Sequence, residues 1–121
     1  MADRENNVPY DADTVFRRHG SIIAKQFTAA MILKMEMLGR VKTDDSIARF
    51  FVDVPLDKVK ITLHQLLTHT SGTRVRFRRR LRPPSTTEEY VRKIFASKLR
   101  SKPGEKFCYS NAGYSVLGMI I

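Results

Sequence analysis

The strongest constraint on this 121-residue chain is the spacing of its apolar residues. They recur in short stripes at helical intervals, separated by glycine and proline, and no two runs alternate apolar and polar as paired strands require. Such a stretch makes helices and cannot build a sheet of its own. In 24–38, Phe27, Ala30, Met31, Met35 and Leu38 predict one helix with a buried face, and Gly39 stands where a C-cap belongs. Thr43, Asp44 and Asp45 are N-cap candidates for a short helix carrying Ile47, Phe50 and Phe51, before Pro55 interrupts. Thr62 and Gln65 have capping-box spacing around Leu63, Leu66 and Leu67, with Gly72 ending that element. Thr86 and Glu89 repeat the spacing ahead of Tyr90, Val91, Ile94 and Phe95. Pro103-Gly104 marks a turn, and 105–110 is a short run open to an extended backbone. Asn111 is a candidate cap for a last helix with Tyr114, Leu117 and Ile121 on one face. That helix reaches the last residue with no polar C-cap, which reads as a truncation inside it.

Composition narrows the function classes. With 42% apolar and 28% charged residues the chain is of globular type, long enough for one domain. No apolar run approaches the length that crosses a bilayer. The opening MADRENNVPYDAD is polar and carries neither a signal-peptide nor a transit-peptide pattern. It leaves the location open, cytoplasmic if this N-terminus is native. The single cysteine, Cys108, rules out an internal disulfide. His19, His64 and His69 have no second cysteine to join, and His64 and His69, five apart, do not share a helix face, so no metal site is expected.

The net charge of +10 is largely local. Arg74, Arg76, Arg78, Arg79, Arg80 and Arg82 crowd into nine positions, and without them +4 remains. The preferred reading is a solvated loop at 73–85, closed by Pro83-Pro84. The rival is a phosphate-binding strip for nucleic acid, with Val75, Phe77 and Leu81 interleaved and an affinity that falls steeply with salt.

Three segments carry more chemistry: GSIIAKQFTAAMIL at 20–33, LLTHTSG at 66–72 and PGEKFCYSNAGYSVLG at 103–118. In that order, with TDDSIARFF at 43–51 between them, they resemble the penicillin-recognising serine hydrolases of the class C β-lactamase and D-alanyl-D-alanine carboxypeptidase type. The first is similar to the family's nucleophile helix, Ser-x-x-Lys followed by Gln-Phe-Thr-Ala. The second is a structural signature of the family. The third contains Tyr109-Ser110-Asn111, matching Tyr-x-Asn with its flanking Pro-Gly and Gly-Tyr. Each motif is weak alone; the three in order are specific. The resemblance runs from about residue 14 to the end, apart from the arginine stretch. It implies a polar lead-in at 1–13 and a partial β-lactamase-related domain at 14–121, truncated at the C-terminus.

The resemblance implies an α+β parent fold, with helices packed on an antiparallel sheet. This chain would be the mainly helical portion, without most of the sheet. It implies a serine hydrolase or acyl transferase acting on an amide or ester (a β-lactam, a peptide or a simple ester) through an acyl-serine intermediate. A serine hydroxyl needs a base to take its proton, and a lysine one helical turn away meets that need when burial or nearby cations lower its pKa. On the resemblance Ser21 attacks, Lys25 and Tyr109 manage protons, and Asn111 positions substrate and bonds the lysine. No metal or organic cofactor is implied, and the oligomeric state is left open.

The sequence departs from the family pattern in two ways. Ile22, not serine, stands three residues before Lys25, and Ser21 stands four before it, giving Ser-x-x-x-Lys. On an ideal helix that offset is about 40° around the axis in place of about 60° the other way. The family's Lys-Thr-Gly or His-x-Gly strand and the sheet behind the nucleophile helix also have no counterpart here. Whether the chain alone is an enzyme therefore stays open, with a catalytically inactive remnant or binding module as the alternative.

Each singled-out residue also has an ordinary reading. Ser21 would be the N-cap of a helix over 22–38, and Lys25 a solvated helix lysine. Tyr109 would be a half-buried aromatic and Asn111 a helix cap. His69 would be a core or turn histidine bonded to the backbone near Gly72. Cys108 would be a small buried hydrophobe, and Met31, Met35 and Met37 core filling.

Overall fold

The computed structural model of the chain describes residues 20–74 and 86–121. The described residues form helix α1 (Gly20–Met37), a single 3-10 turn (Ile47–Arg49), and helices α2 (Leu63–Leu67), α3 (Thr87–Ala96) and α4 (Asn111–Ile120). Among them there is no strand, only one isolated antiparallel bridge between Ser46 and Thr62. The lead-in at 1–13 lies outside the described residues, as does the expected arginine loop apart from Thr73 and Arg74.

Local chemistry sets the element ends. At Gly39 the backbone turns left-handed, with φ 69°. The Gly39 and Arg40 amides donate to the Glu36 and Met35 carbonyls, both at 2.9 Å, which closes α1 with a Schellman motif. The next turn is capped by Ser46, whose Oγ accepts the Ala48 amide at 3.1 Å, and not by Thr43, Asp44 or Asp45. Thr43 and Asp45 are engaged elsewhere. The Thr43 amide and hydroxyl both donate to Glu36 Oε1, at 2.6 and 2.9 Å. Asp45 Oδ2 accepts the Lys42 amide at 2.7 Å and the Arg49 guanidinium at 2.5 Å.

The capping box of α2 forms as its spacing predicts. The Gln65 amide donates to Thr62 Oγ1 and the Thr62 amide to Gln65 Oε1, both at 3.2 Å. The helix stops at Leu67, earlier than Gly72. His69 takes the left-handed position, φ 59°, and the Thr70 amide reaches back to the Gln65 carbonyl at 2.8 Å. In α3, Thr86 Oγ1 accepts the Glu89 amide at 3.2 Å.

Helix α4 is the hub, packing against α1, α2 and α3. It buries Ala112, Gly113, Val116 and Leu117. Of the predicted Tyr114, Leu117 and Ile121 face, Leu117 is fully buried, Tyr114 is half-buried and Ile121 is 49% exposed. The core gathers Ile32, Ile47, Ile61, Leu63, Leu66, Ile94, Val116 and Leu117 from every element.

Helix α1 turns a different stripe inward from the one its spacing predicts. Ile32 is fully buried and Met35 packs on the core, whereas Phe27, Met31 and Leu38 are 69%, 46% and 58% exposed. The helix carries apolar residues nearly all round, so periodicity alone did not select the stripe that would meet α4. Of the three methionines expected to fill the core, only Met35 does so; Met31 and Met37 face solvent.

Candidate active site

The N-terminal end of α4 decides what Asn111 is free to do. Ser110, not Asn111, caps this helix, its Oγ accepting the Gly113 amide at 3.0 Å. Asn111 is then the first helical residue, and its side-chain amide is released from capping. Its Oδ1 accepts a hydrogen bond from Lys25 Nζ at 2.7 Å, joining α4 to α1 across 86 positions of sequence. The same ammonium lies 5.3 Å from the centre of the Tyr109 ring and 5.5 Å from that of Tyr114, within cation–π range of both. A shallow cavity of about 180 Å³ opens here, lined by Ala24, Lys25, Thr28, Asn111, Tyr114 and Ser115. A larger cavity of about 380 Å³, walled by Phe51, Val91, Phe95 and Met119, is lined by none of Lys25, Tyr109 and Asn111.

Lys25, Tyr109 and Asn111 are thus brought together. Ser21 belongs to the first turn of α1, one helical turn before Lys25, and its side chain lies outside the described residues. Because the described helix already contains position 21, Ser21 is not the residue that precedes and caps it. The helix is α-helical throughout, with no bulge between positions 21 and 25 to restore a three-residue spacing.

The 66–72 signature supports this corner from beneath. Ser71 Oγ and Thr73 Oγ1 lie 2.8 Å apart, and Thr73 Oγ1 lies 3.3 Å from the Ser110 cap, a buried hydroxyl ladder between that segment and α4. His69 faces the 107–110 run, not the backbone near Gly72. Its Nδ1 accepts the Ser110 amide at 3.1 Å and its carbonyl accepts the Cys108 amide at 2.7 Å. Its ring centre lies 4.6 Å from that of Tyr109, 5.1 Å from Tyr114 and 5.7 Å from Phe107. Burial, and then the nearby Lys25 charge, hold the His69 imidazole below its ordinary pKa. Burial, reinforced by Tyr109, pushes the Tyr114 phenol above its ordinary value, and its hydroxyl donates to the Leu67 carbonyl at 3.1 Å. Sequence reasoning did not assign His69 or Tyr114 to this cluster. The Gly-Tyr flank of the third motif was the available signal for Tyr114; for His69 only the family signature was. Cys108, expected buried, is half-buried.

Among the described residues no group of three or more His, Cys, Asp or Glu side chains gathers to hold a metal ion, and no helix is long and apolar enough to cross a membrane.

The β-lactamase family model matches residues 1–121. Protein flp of Staphylococcus aureus strain COL is 34% identical over 113 residues, covering 80% of this chain and 21% of that protein. The chain therefore spans about a fifth of the length of the flp proteins it matches. An octameric penicillin-binding protein homologue from Pyrococcus abyssi superposes with a TM-score of 0.65 at 34% identity, over 81% of this chain and 25% of that one. A penicillin-binding protein from Bacillus halodurans gives 0.70 at 24% identity, over 99% of this chain and 39% of that one, a likeness of fold alone. The helices described above are thus the helical portion of a β-lactamase/transpeptidase-like fold. A family model that spans the sequence from end to end, and a fold shared with penicillin-binding protein homologues, make this chain a member of the β-lactamase family.

Proposed function

We propose that this chain contributes the nucleophile-helix and Tyr-x-Asn sides of an acyl-transfer site, which hydrolyses or transfers the acyl group of an amide or ester. The observation that carries the reading is the 2.7 Å contact between Lys25 Nζ and Asn111 Oδ1, with the Tyr109 ring 5.3 Å from the same nitrogen. Closing α1 onto the start of α4 sets the Lys25 amine and the Asn111 amide at one opening, with the Tyr109 ring beside the amine.

On this reading Lys25 or Tyr109 takes the Ser21 proton as Oγ attacks the acyl carbon. Tyr109 returns a proton to the departing nitrogen or oxygen, and water then cleaves the acyl-serine. Asn111 holds the substrate amide and the lysine in register. The penicillin-binding protein homologue of Pyrococcus abyssi, 34% identical, supports a β-lactam as the acyl donor, with a peptide or a simple ester as further candidates.

The four-residue step from Ser21 to Lys25 favours a second reading, a family member that binds without turning over. One experiment separates them: treat the folded protein with a fluorescent penicillin and with a fluorophosphonate, then map the adduct. Labelling at Ser21 that vanishes in Ser21→Ala supports acyl transfer. A folded sample that takes neither probe at Ser21 removes it in favour of the binding module.

A further inference from the structure

We propose that His69 is a positioning residue, whose neutral ring accepts the Ser110 amide and stacks on Tyr109 and Tyr114, thereby setting the Tyr109-Ser110-Asn111 segment opposite Lys25.

The geometry is specific. Residue 69 closes α2 in the left-handed region at φ 59°, uncommon outside glycine though more frequent for histidine than for most residues, and its surroundings hold it there. Three attachments do so. The carbonyl of His69 takes the Cys108 amide at 2.7 Å, Nδ1 takes the Ser110 amide at 3.1 Å, and the ring packs 4.6 Å from Tyr109 and 5.1 Å from Tyr114, centre to centre. Two successive hydrogen bonds and a ring contact thus fix the backbone on both sides of Tyr109, and Asn111 follows directly. His69 touches neither Lys25 nor Asn111 through a hydrogen bond. It acts through the segment it holds.

The arrangement requires one protonation state. An imidazolium carries a proton on both nitrogens, so Nδ1 can no longer accept the Ser110 amide. Among the described residues, the titratable groups facing the ring are Lys25 from α1, Tyr114 from α4 and Tyr109 from the run before α4. The tyrosine faces would favour an imidazolium. Burial and the Lys25 charge oppose it, and they prevail, since the pKa is lowered. The hydrogen bond from the Ser110 amide needs the neutral ring, so on this proposal acid releases the segment. The sign follows from linkage: with the folded pKa below the unfolded 6.5, the contribution is complete above 6.5 and is lost as pH falls through the folded value.

The proposal uses the acyl-transfer reading only for its second measurement. The first is nitrogen-15 NMR of the full chain, following the His69 ring nitrogens and the Ser110 amide as pH falls from 8 to 5. The expected result is an unprotonated Nδ1 at neutral pH and a Ser110 amide whose shift changes in step with ring protonation. Two variants separate the roles. His69→Gly relieves the left-handed backbone but removes ring and acceptor. His69→Asn tolerates that backbone and sets an oxygen near the position of Nδ1. The Ser110 amide should lose its bonded shift in His69→Gly and keep it in His69→Asn. Where Ser21 is labelled by penicillin, the labelling rate should drop at least about tenfold in His69→Gly and return to within about threefold in His69→Asn. A proton on Nδ1 at neutral pH, or a Ser110 amide indifferent to His69→Gly, overturns the proposal. If Ser21 takes no label in any form, acyl transfer fails while the amide measurement still decides the role of His69.

Discussion

Two residues of the 66–72 signature, His69 and Gly72, solve opposite steric problems. His69 holds a left-handed backbone despite its side chain, because the Cys108 and Ser110 amides and two tyrosine rings hold it there. Gly72 holds one because nothing larger fits. Its φ is 72°, and a β-carbon built there would lie 2.3 Å from the Ser101 carbonyl oxygen, a backbone atom tied down by the Arg100 amide bonded to the Gly72 carbonyl at 2.9 Å. Gly72→Ala therefore combines left-handed strain of about 1–2 kcal/mol with a clash that must move the backbone. The expected loss is about 2 kcal/mol or more, read as a lower urea midpoint at unchanged m-value. A variant within about 0.5 kcal/mol of the parent would show that the 99–101 run yields freely. The sequence marked Gly72 as an ending without showing that its crowding comes from Ser101, since a contact across 29 positions leaves no trace in local spacing. Asn111 teaches the same lesson. Ser110 and Asn111 are both good caps, and only the packing of α4 shows that the serine takes the cap and the asparagine the lysine.

At the level of elements, helices were legible wherever caps and stripes agreed. The box at Thr62 and Gln65 and the Gly39 ending both form, while the boundaries moved where a side chain had a better partner, as Thr43 and Asp45 do with Glu36, Lys42 and Arg49. The register of α1 has the largest functional consequence. With the helix regular from Gly20 to Met37, residue 21 sits about 6 Å along the axis and about 40° around it from residue 25. Removing Ile22 changes this to about 4.5 Å and about 60° on the other side, the Ser-x-x-Lys spacing of the family. Misalignments on the order of 1 Å cost about a hundredfold in such reactions. On the acyl-transfer reading, the Ile22 deletion should raise the rate of Ser21 labelling by fluorescent penicillin at least about tenfold. A rate that stays level or falls in a variant of unchanged circular dichroism would mean that the four-residue step is already the working geometry.

Across the whole molecule, the helical composition was legible in advance; which side of α1 faces inward was not. A helix apolar on two sides can bury either, and α4 settles the matter by drawing in the side that carries Lys25, Thr28 and Ile32. The opposite side leaves Ile23, Phe27, Met31 and Leu38 at 57%, 69%, 46% and 58% exposure, residues spaced so that they line one stripe of the helix. The family resemblance implies a sheet behind the nucleophile helix, and the described residues supply no strand to cover this stripe. Water in contact with a continuous apolar stripe of that kind is unfavourable, and a dye such as ANS that prefers apolar surface occupies it. The 121-residue chain should therefore bind ANS in its folded state, with blue-shifted emission. Because Phe27 and Met31 lie outside the core, Phe27→Gln with Met31→Gln should cut that emission by about half and leave helical circular dichroism intact, glutamine being a good helix former. Emission unchanged by the pair would locate the open apolar surface elsewhere. Loss of helix in the same variant would show that this stripe is already buried in solution, and with it that α1 packs differently from the arrangement that joins Lys25 to Asn111.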